Sequence, residues 1–170
     1  DQLRNVQQVE GTDYAFAAIL ANGSVVAWGD PMFGGDSLQV QDWLKHVQKV
    51  RATSGAFAAI LSDGTVVTWG HPAFGGHSHA VQDQLRNVQE VTGTTAAFAA
   101  TLADGTVVSW GDTEKGGDSS TIQDQLRNVQ QVEGTDYAFA AILANGRVVA
   151  WGDSRFGGDT NEIQDEVQHV

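Results

Sequence analysis

The chain has 170 residues, carries 9 Lys+Arg against 21 Asp+Glu for a net charge of −12, and contains no cysteine. The missing thiols exclude disulfides, thiolate nucleophiles and Cys-based metal centres. The acidity removes the electrostatic footprint for nucleic acid or an anionic membrane, and no apolar run approaches the ~18 residues of a membrane span. A basic protein, a cation or a solvated acidic face fits such a charge better.

Organisation follows from a repeat. The stretch DQLRNVQQVEGTDYAFAAILANG at 1–23 recurs unchanged at 124–146, and related copies start at Asp42 and Asp83. The offset of 123 residues is three periods of 41. The expected units are therefore 1–41, 42–82, 83–123 and 124–164, with 165–170 opening a fifth. A period near forty marks an array whose units cannot bury their apolar faces alone. The pattern is already running at Asp1 and still running at Val170, which predicts a segment of a longer array.

In the first unit, Leu3, Val6 and Val9 are spaced three apart. That spacing suits a helical turn, or an irregular lead-in followed by a strand, and periodicity does not decide between them. Gly11-Thr12-Asp13 is a turn signal. Ala15 to Leu20 is nearly all apolar and reads as a strand buried on both faces. Asn22-Gly23 predicts a type I′ hairpin turn, with Gly23, Gly64, Gly105 and Gly146 at the same place in each copy. Val25 to Trp28 is the returning strand. A loop through Phe33-Gly34-Gly35-Asp36-Ser37 leads to the next copy. Small residues at Ala15, Ala17 and Ala18 permit close sheet approach. Trp28, Trp69, Trp110 and Trp151 recur once per unit as structural residues, each able to bury ~150–250 Å².

The run Leu102-Ala103-Asp104-Gly105-Thr106-Val107-Val108-Ser109-Trp110-Gly111-Asp112, followed by Gly116-Gly117, resembles the repeat of the regulator of chromosome condensation family. Val40-Gln41-Asp42-Trp43-Leu44-Lys45-His46-Val47 resembles the blade linker of its short, three-stranded version in bacterial β-lactamase-inhibitory propellers. The resemblance covers all four copies. It implies an all-β fold of propeller blades, in a closed ring, part of one, or an open superhelix, with a protein-binding face. Two positions depart from the family: Thr12, Thr53, Thr94 and Thr135 stand where Gly is usual, and Ala15, Ala56, Ala97 and Ala138 where His is usual.

Candidate chemistry is sparse. Asp30 and Asp36 flank a Gly-Gly and offer oxygens to a hard cation such as calcium. The competing reading is a turn in which each carboxylate bonds its own backbone. His71, His77 and His79 gather in one copy, and imidazoles at 77 and 79 point the same way on an extended chain, which suits zinc or copper. Divergence of a surface copy explains them equally. No Ser/His/Asp arrangement and no phosphate cradle is present, so no enzyme and no cofactor is expected. The copies differ most at their loop tips, which is the layout of a recognition surface. Met32, Phe33, Phe74, Arg155 and Phe156 are the candidate partner contacts, the phenylalanines otherwise filling gaps between blades. The pattern suits a non-catalytic protein-interaction or scaffold module. The alternatives are a structural linker within a large assembly and a calcium-stabilised surface array.

Overall fold

The computed structural model describes residues 3–161. The start of the fifth copy at 165–170 lies outside the described residues. Four three-stranded antiparallel sheets follow one another, each in simple meander order. The first holds β1 (Val6–Gly11), β2 (Ala15–Leu20) and β3 (Val25–Gly29). The second holds β4 (Val47–Ala52), β5 (Ala56–Leu61) and β6 (Val66–Gly70). The third holds β7 (Val88–Gly93), β8 (Ala97–Leu102) and β9 (Val107–Gly111). The fourth holds β10 (Val129–Gly134), β11 (Ala138–Leu143) and β12 (Val148–Gly152). The first strands of successive blades contact one another and so line the inner side. The third strands lie on the perimeter.

The ambiguous Leu3, Val6 and Val9 belong to a lead-in and a strand. A bulge between Val6 and Gln8 inserts one residue into the β1–β2 ladder. Val6 and Val9 thus reach the same face although they are three apart, where a regular strand would put them on opposite faces. The same irregularity recurs in all four blades.

The hairpin turn differs from expectation. A type I′ turn needs positive φ at both central residues. Gly23 has φ 77°, but Asn22 is not among the residues with positive φ. The loop instead has three residues, closed by Gly23 N–H donating to Leu20 C=O at 2.9 Å. Asn22 acts through its side chain, whose Oδ1 accepts from Ser24 N–H at 3.0 Å and Ser24 Oγ at 2.7 Å. Asp63 and Asp104 do the same for Thr65 and Thr106. Asn and Asp are selected there as acceptors, and only glycine is selected for its backbone.

The apolar core lies between blades. One cluster joins Ala15, Ala17, Ile19 and Val25 of the first blade to Leu44, Val47, Val50, Phe57 and Trp69 of the second. The next two clusters repeat this arrangement between the second and third blades and between the third and fourth. Each blade has a leading face of Leu, Val, Val, Phe and Trp, and a trailing face of Ala, Ala, a larger β-strand residue and Val. Four described blades make three such joints. Phe57, Phe98 and Phe139 are at most 1% exposed, whereas Phe16 is 49% exposed on the uncovered leading face of the first blade.

Two glycine positions make the joint possible. A Cβ on Gly34 (φ 94°) would lie 2.6 Å from the Phe57 ring, so the ring rests on bare backbone. The indole N–H of Trp69 then donates to Gly34 C=O at 3.0 Å, as Trp110 does to Gly75 and Trp151 to Gly116. At the opposite end of the blade, a Cβ on Gly64 would meet Asn87 Cα at 2.9 Å, and one on Gly105 would meet Asn128 Cα at 2.9 Å.

Phe98→Ala should accordingly cost about 3–5 kcal/mol in chemical denaturation, and Phe16→Ala, at the uncovered face, less than half of that. Gly64→Ala should cost more than the about 1–2 kcal/mol of a left-handed backbone alone, because Asn87 blocks the added methyl. Equal effects of the two phenylalanine substitutions would contradict shared cores between blades.

Candidate functional site

One rim of the array is formed by the turns after each first strand and the loops after each third strand. The loop after β3 is a short 3₁₀ turn over Pro31–Phe33, stopped by Gly34 in the left-handed region. Asp30 opens it, its Oδ1 accepting from Met32 N–H at 2.9 Å. Asp36 similarly accepts from Leu38 N–H at 2.8 Å. Both candidate calcium ligands therefore have an oxygen engaged with their own backbone. His71 occupies the place of Asp30 in the second blade, and its Nδ1 accepts from Ala73 N–H at 3.2 Å. His77 and His79 come together, ring centroids 5.3 Å apart. Among the described residues no three His, Cys, Asp or Glu side chains are grouped to hold a metal ion.

The threonines that depart from the family pattern clasp this rim. Thr53, nearly buried, donates from Oγ1 to Phe74 C=O at 2.7 Å and accepts from Ala56 N–H at 3.1 Å. Thr12, Thr94 and Thr135 make the same clasp. A hydroxyl thus ties the loop after the third strand to the start of the second, which glycine cannot do. The neighbouring alanines have no room for a larger side chain: Ala15 and Ala56 are buried beneath Gly29 and Gly70.

The rim aromatics form a ladder. Phe33 packs on Tyr14 at 4.7 Å and reaches Phe74 at 6.2 Å and His71 at 5.8 Å in the next blade. Gly55 leaves the space for this, since a Cβ there would lie 2.7 Å from Phe74 and 3.1 Å from Phe33. Phe33 and Phe74 are half-buried, while Met32 stands out into solvent. Arg155 is folded back onto Asp153 through Nη2–Oδ2 at 2.7 Å, beside the exposed Phe156. The guanidinium bond holds the Asp153 carboxyl below its ordinary pKa. The Thr65 and Thr106 hydroxyls do the same for Asp63 and Asp104. These groups support the folded turns at neutral pH, and that support is lost as pH falls through their lowered folded-state values.

One concavity was not evident from the sequence. A groove of about 840 Å³ lies on the perimeter between the linker at 40–46 and the outer strand β6, lined by Val40, Trp43, Lys45, His46, Val66 and His79, with the carboxylates Asp42 and Asp63 also in its lining. A second hollow of about 580 Å³, reaching Met32 and His77, lies on the other side of Trp43. Trp43 is 63% exposed. The other copies have Gln2, Gln84 and Gln125 at that position, and Asn5, Asn87 and Asn128 where this copy has His46. His46 even keeps the left-handed backbone of those asparagines, φ 55°. The unit 42–82 has three Lys/Arg against two Asp/Glu, and it holds four of the chain's five histidines. One sequence signal pointed here: Trp43 is the single tryptophan outside the repeated position.

No protein-family model matches this sequence, and no curated protein matches it. Solved structures do. Yeast RCC1 (Prp20), in a structure with Kap60 bound, superimposes with a TM-score of 0.65 at 16% identity, over 89% of this chain and 44% of that one. Human WBSCR16 gives 0.66 at 18% identity, over 86% and 47%. Prp20p from Saccharomyces cerevisiae, described with its binding properties to Gsp1p and histones, gives 0.61 at 18% identity, over 89% and 46%. The chain spans less than half the length of each. The fold is thus the RCC1-type repeat, in β-propeller blades.

Replacing Thr53 by Val should cost about 1–3 kcal/mol, the penalty for leaving a buried acceptor and donor without their hydroxyl. Thr135→Val, where water reaches the same clasp, should cost less. Urea denaturation of the two variants checks the order.

Proposed function

We propose that this array of blades is a non-catalytic protein-interaction module, presenting variable loop tips and one perimeter groove on an invariant β framework. The observation that supports it is convergence. The strands are nearly copied from blade to blade, yet Trp43, His46 and His79, which depart from the repeat, meet along one groove. An exposed indole in this groove suits an apolar or aromatic anchor residue, and the charges beside it are mixed, Lys45 against Asp42 and Asp63. The favoured partner is therefore a protein segment that inserts an apolar or aromatic side chain. Met32, at the far side of Trp43, serves as a second anchor. Phe33 and Phe74 hold the shape of the rim, and Arg155 with Phe156 forms a separate tip on the fourth blade.

The fold relatives add support of a coarse kind. Yeast RCC1 is seen with Kap60 bound, and Prp20p is described with Gsp1p and histones. Calcium stabilisation draws no support from Asp30 and Asp36, each of which has an oxygen engaged with its backbone.

The test is an array of peptides carrying an aromatic residue between varied flanks, read by pull-down. Trp43→Ala should weaken capture by about tenfold or more, and Trp43→Phe by less. Capture that is indifferent to both substitutions would dismiss the groove as the docking site.

A further inference from the structure

His77 and His79 flank Ser78 in the loop after β6. Ser78 is only 3% exposed, while both histidines are exposed. The Ser78 hydroxyl donates to Gln82 Oε1 at 2.7 Å and lies 3.0 Å from Thr68 Oγ1, and the Ser78 carbonyl accepts from Val81 N–H at 3.0 Å. Gln82 in turn donates from Nε2 to Val66 C=O at 3.0 Å. The serine is thus tied inward to the outer strand and to the linker that follows. The residues on either side of it stand outward together, with 5.3 Å between the two imidazole centroids and 55° between the ring planes.

The other copies show what this segment does without histidine. At the place of His77 they carry Asp36, Asp118 and Asp159, each of which accepts from the amide two residues on, at 2.8, 2.9 and 2.8 Å. At the place of His79 they carry Leu38, Ser120 and Asn161. The second copy alone has imidazole at either position. Neither ring is spent on its own backbone: among the described residues no hydrogen bond engages a ring nitrogen of His77 or His79. His71 differs, because its Nδ1 accepts from Ala73 N–H at 3.2 Å and its ring packs against Phe33 and Phe74. Two neighbouring rings with free nitrogens are what a chelate requires.

Their separation also fits. Two imidazoles bound to one cation at about 2.0–2.1 Å, in tetrahedral directions, have ring centroids about 5 Å apart. Both rings are exposed and can swivel to aim a nitrogen at a common point without moving the backbone. Imidazole suits zinc, copper and nickel, whereas calcium and magnesium take oxygen. We propose that His77 and His79 form a two-imidazole chelate for a divalent transition-metal cation, with water in the remaining positions. Structural zinc sites are fully ligated by protein. A site with two protein ligands holds an exchangeable ion, and the other blades fold the same loop without either histidine. Both histidines line the hollow beside Trp43, so a donor group brought into that hollow can replace a bound water. The chelate itself does not depend on what fills the groove.

The experiment is calorimetric titration of the untagged 170-residue protein, stripped of metal, with the chlorides of zinc, nickel and copper(II). The expected result is one cation per chain, with copper held more tightly than nickel or zinc. His79→Ser and His77→Gln should each weaken copper binding by about tenfold or more, because each removes the second, intramolecular bond of the chelate. Serine is the residue of the third copy at that place, and circular dichroism confirms that both variants fold. His71→Asp and His46→Asn, which also install residues of other copies, should leave binding unchanged. Electron spin-echo spectra of the copper(II) complex should show two coupled imidazoles in the parent chain and one in either His77 or His79 variant. Absence of binding by all three cations overturns the proposal. So does an affinity indifferent to His77→Gln and His79→Ser, or a loss in His71→Asp or His46→Asn as large as that in His79→Ser.

Discussion

No blade of this protein owns its core. The phenylalanine and tryptophan of one sheet are buried only because the next sheet offers them bare glycine backbone, a carbonyl acceptor and a bed of alanines. A three-stranded sheet this small is marginal by itself in water. Its stability comes from the neighbour, and in such arrays stability is approximately a sum of unit and joint terms. The shared joint explains why the strands are nearly copied: a substitution on one face is tested against two blades at once. Gly34 cannot change without displacing Phe57, and Phe57 has no other seat.

The same constraint separates surfaces that are free to vary from those that are not. The faces of the sheets are committed to neighbours. The inner edge carries a short run of charge complementarity, Glu10 and Glu90 on either side of Arg51, with Lys49 also paired to Glu90. Half-exposed pairs of this kind contribute little to stability, about 0–1 kcal/mol each, but they distinguish the second blade from its neighbours. The exposed positions of the loop tips and perimeter linkers are freer, although Leu44 and Gly34 there remain tied to the joint. The departures Trp43, His46, His77 and His79 all fall at such positions.

The period and the strands were legible because they rest on local patterns that recur four times: an apolar run, a turn residue, a β-branched and aromatic run. The RCC1-like repeat was legible for the same reason. What escaped was whatever depended on register or on a neighbour. Val6 and Val9 share a face only because a bulge lies between them. Asn22 looked like a positive-φ residue, but it is chosen for the oxygen that takes Ser24. The threonines looked like a loss of glycine, and they turn out to be clasps whose partners lie 21 residues away. Asp30 and Asp36 offered oxygens in the sequence that the fold directs to backbone amides. The Trp43 groove was hidden for a simpler reason: whether an aromatic in a linker faces in or out depends on the sheet it crosses. Leu44, its neighbour, is the one buried.

The joints and the perimeter groove make opposite demands on their occupants. The trailing face of a blade is a preformed negative of the next, with a glycine carbonyl, a ring seat and a bed of alanines in fixed relation. It discriminates by shape, and only a sheet with Phe and Trp in the same register satisfies it. The groove offers one exposed indole on a linker, with mixed charge from Lys45, Asp42 and Asp63 beside it, an arrangement that tolerates many sequences. The joints are thereby committed to the fold, while Trp43 stands outside them.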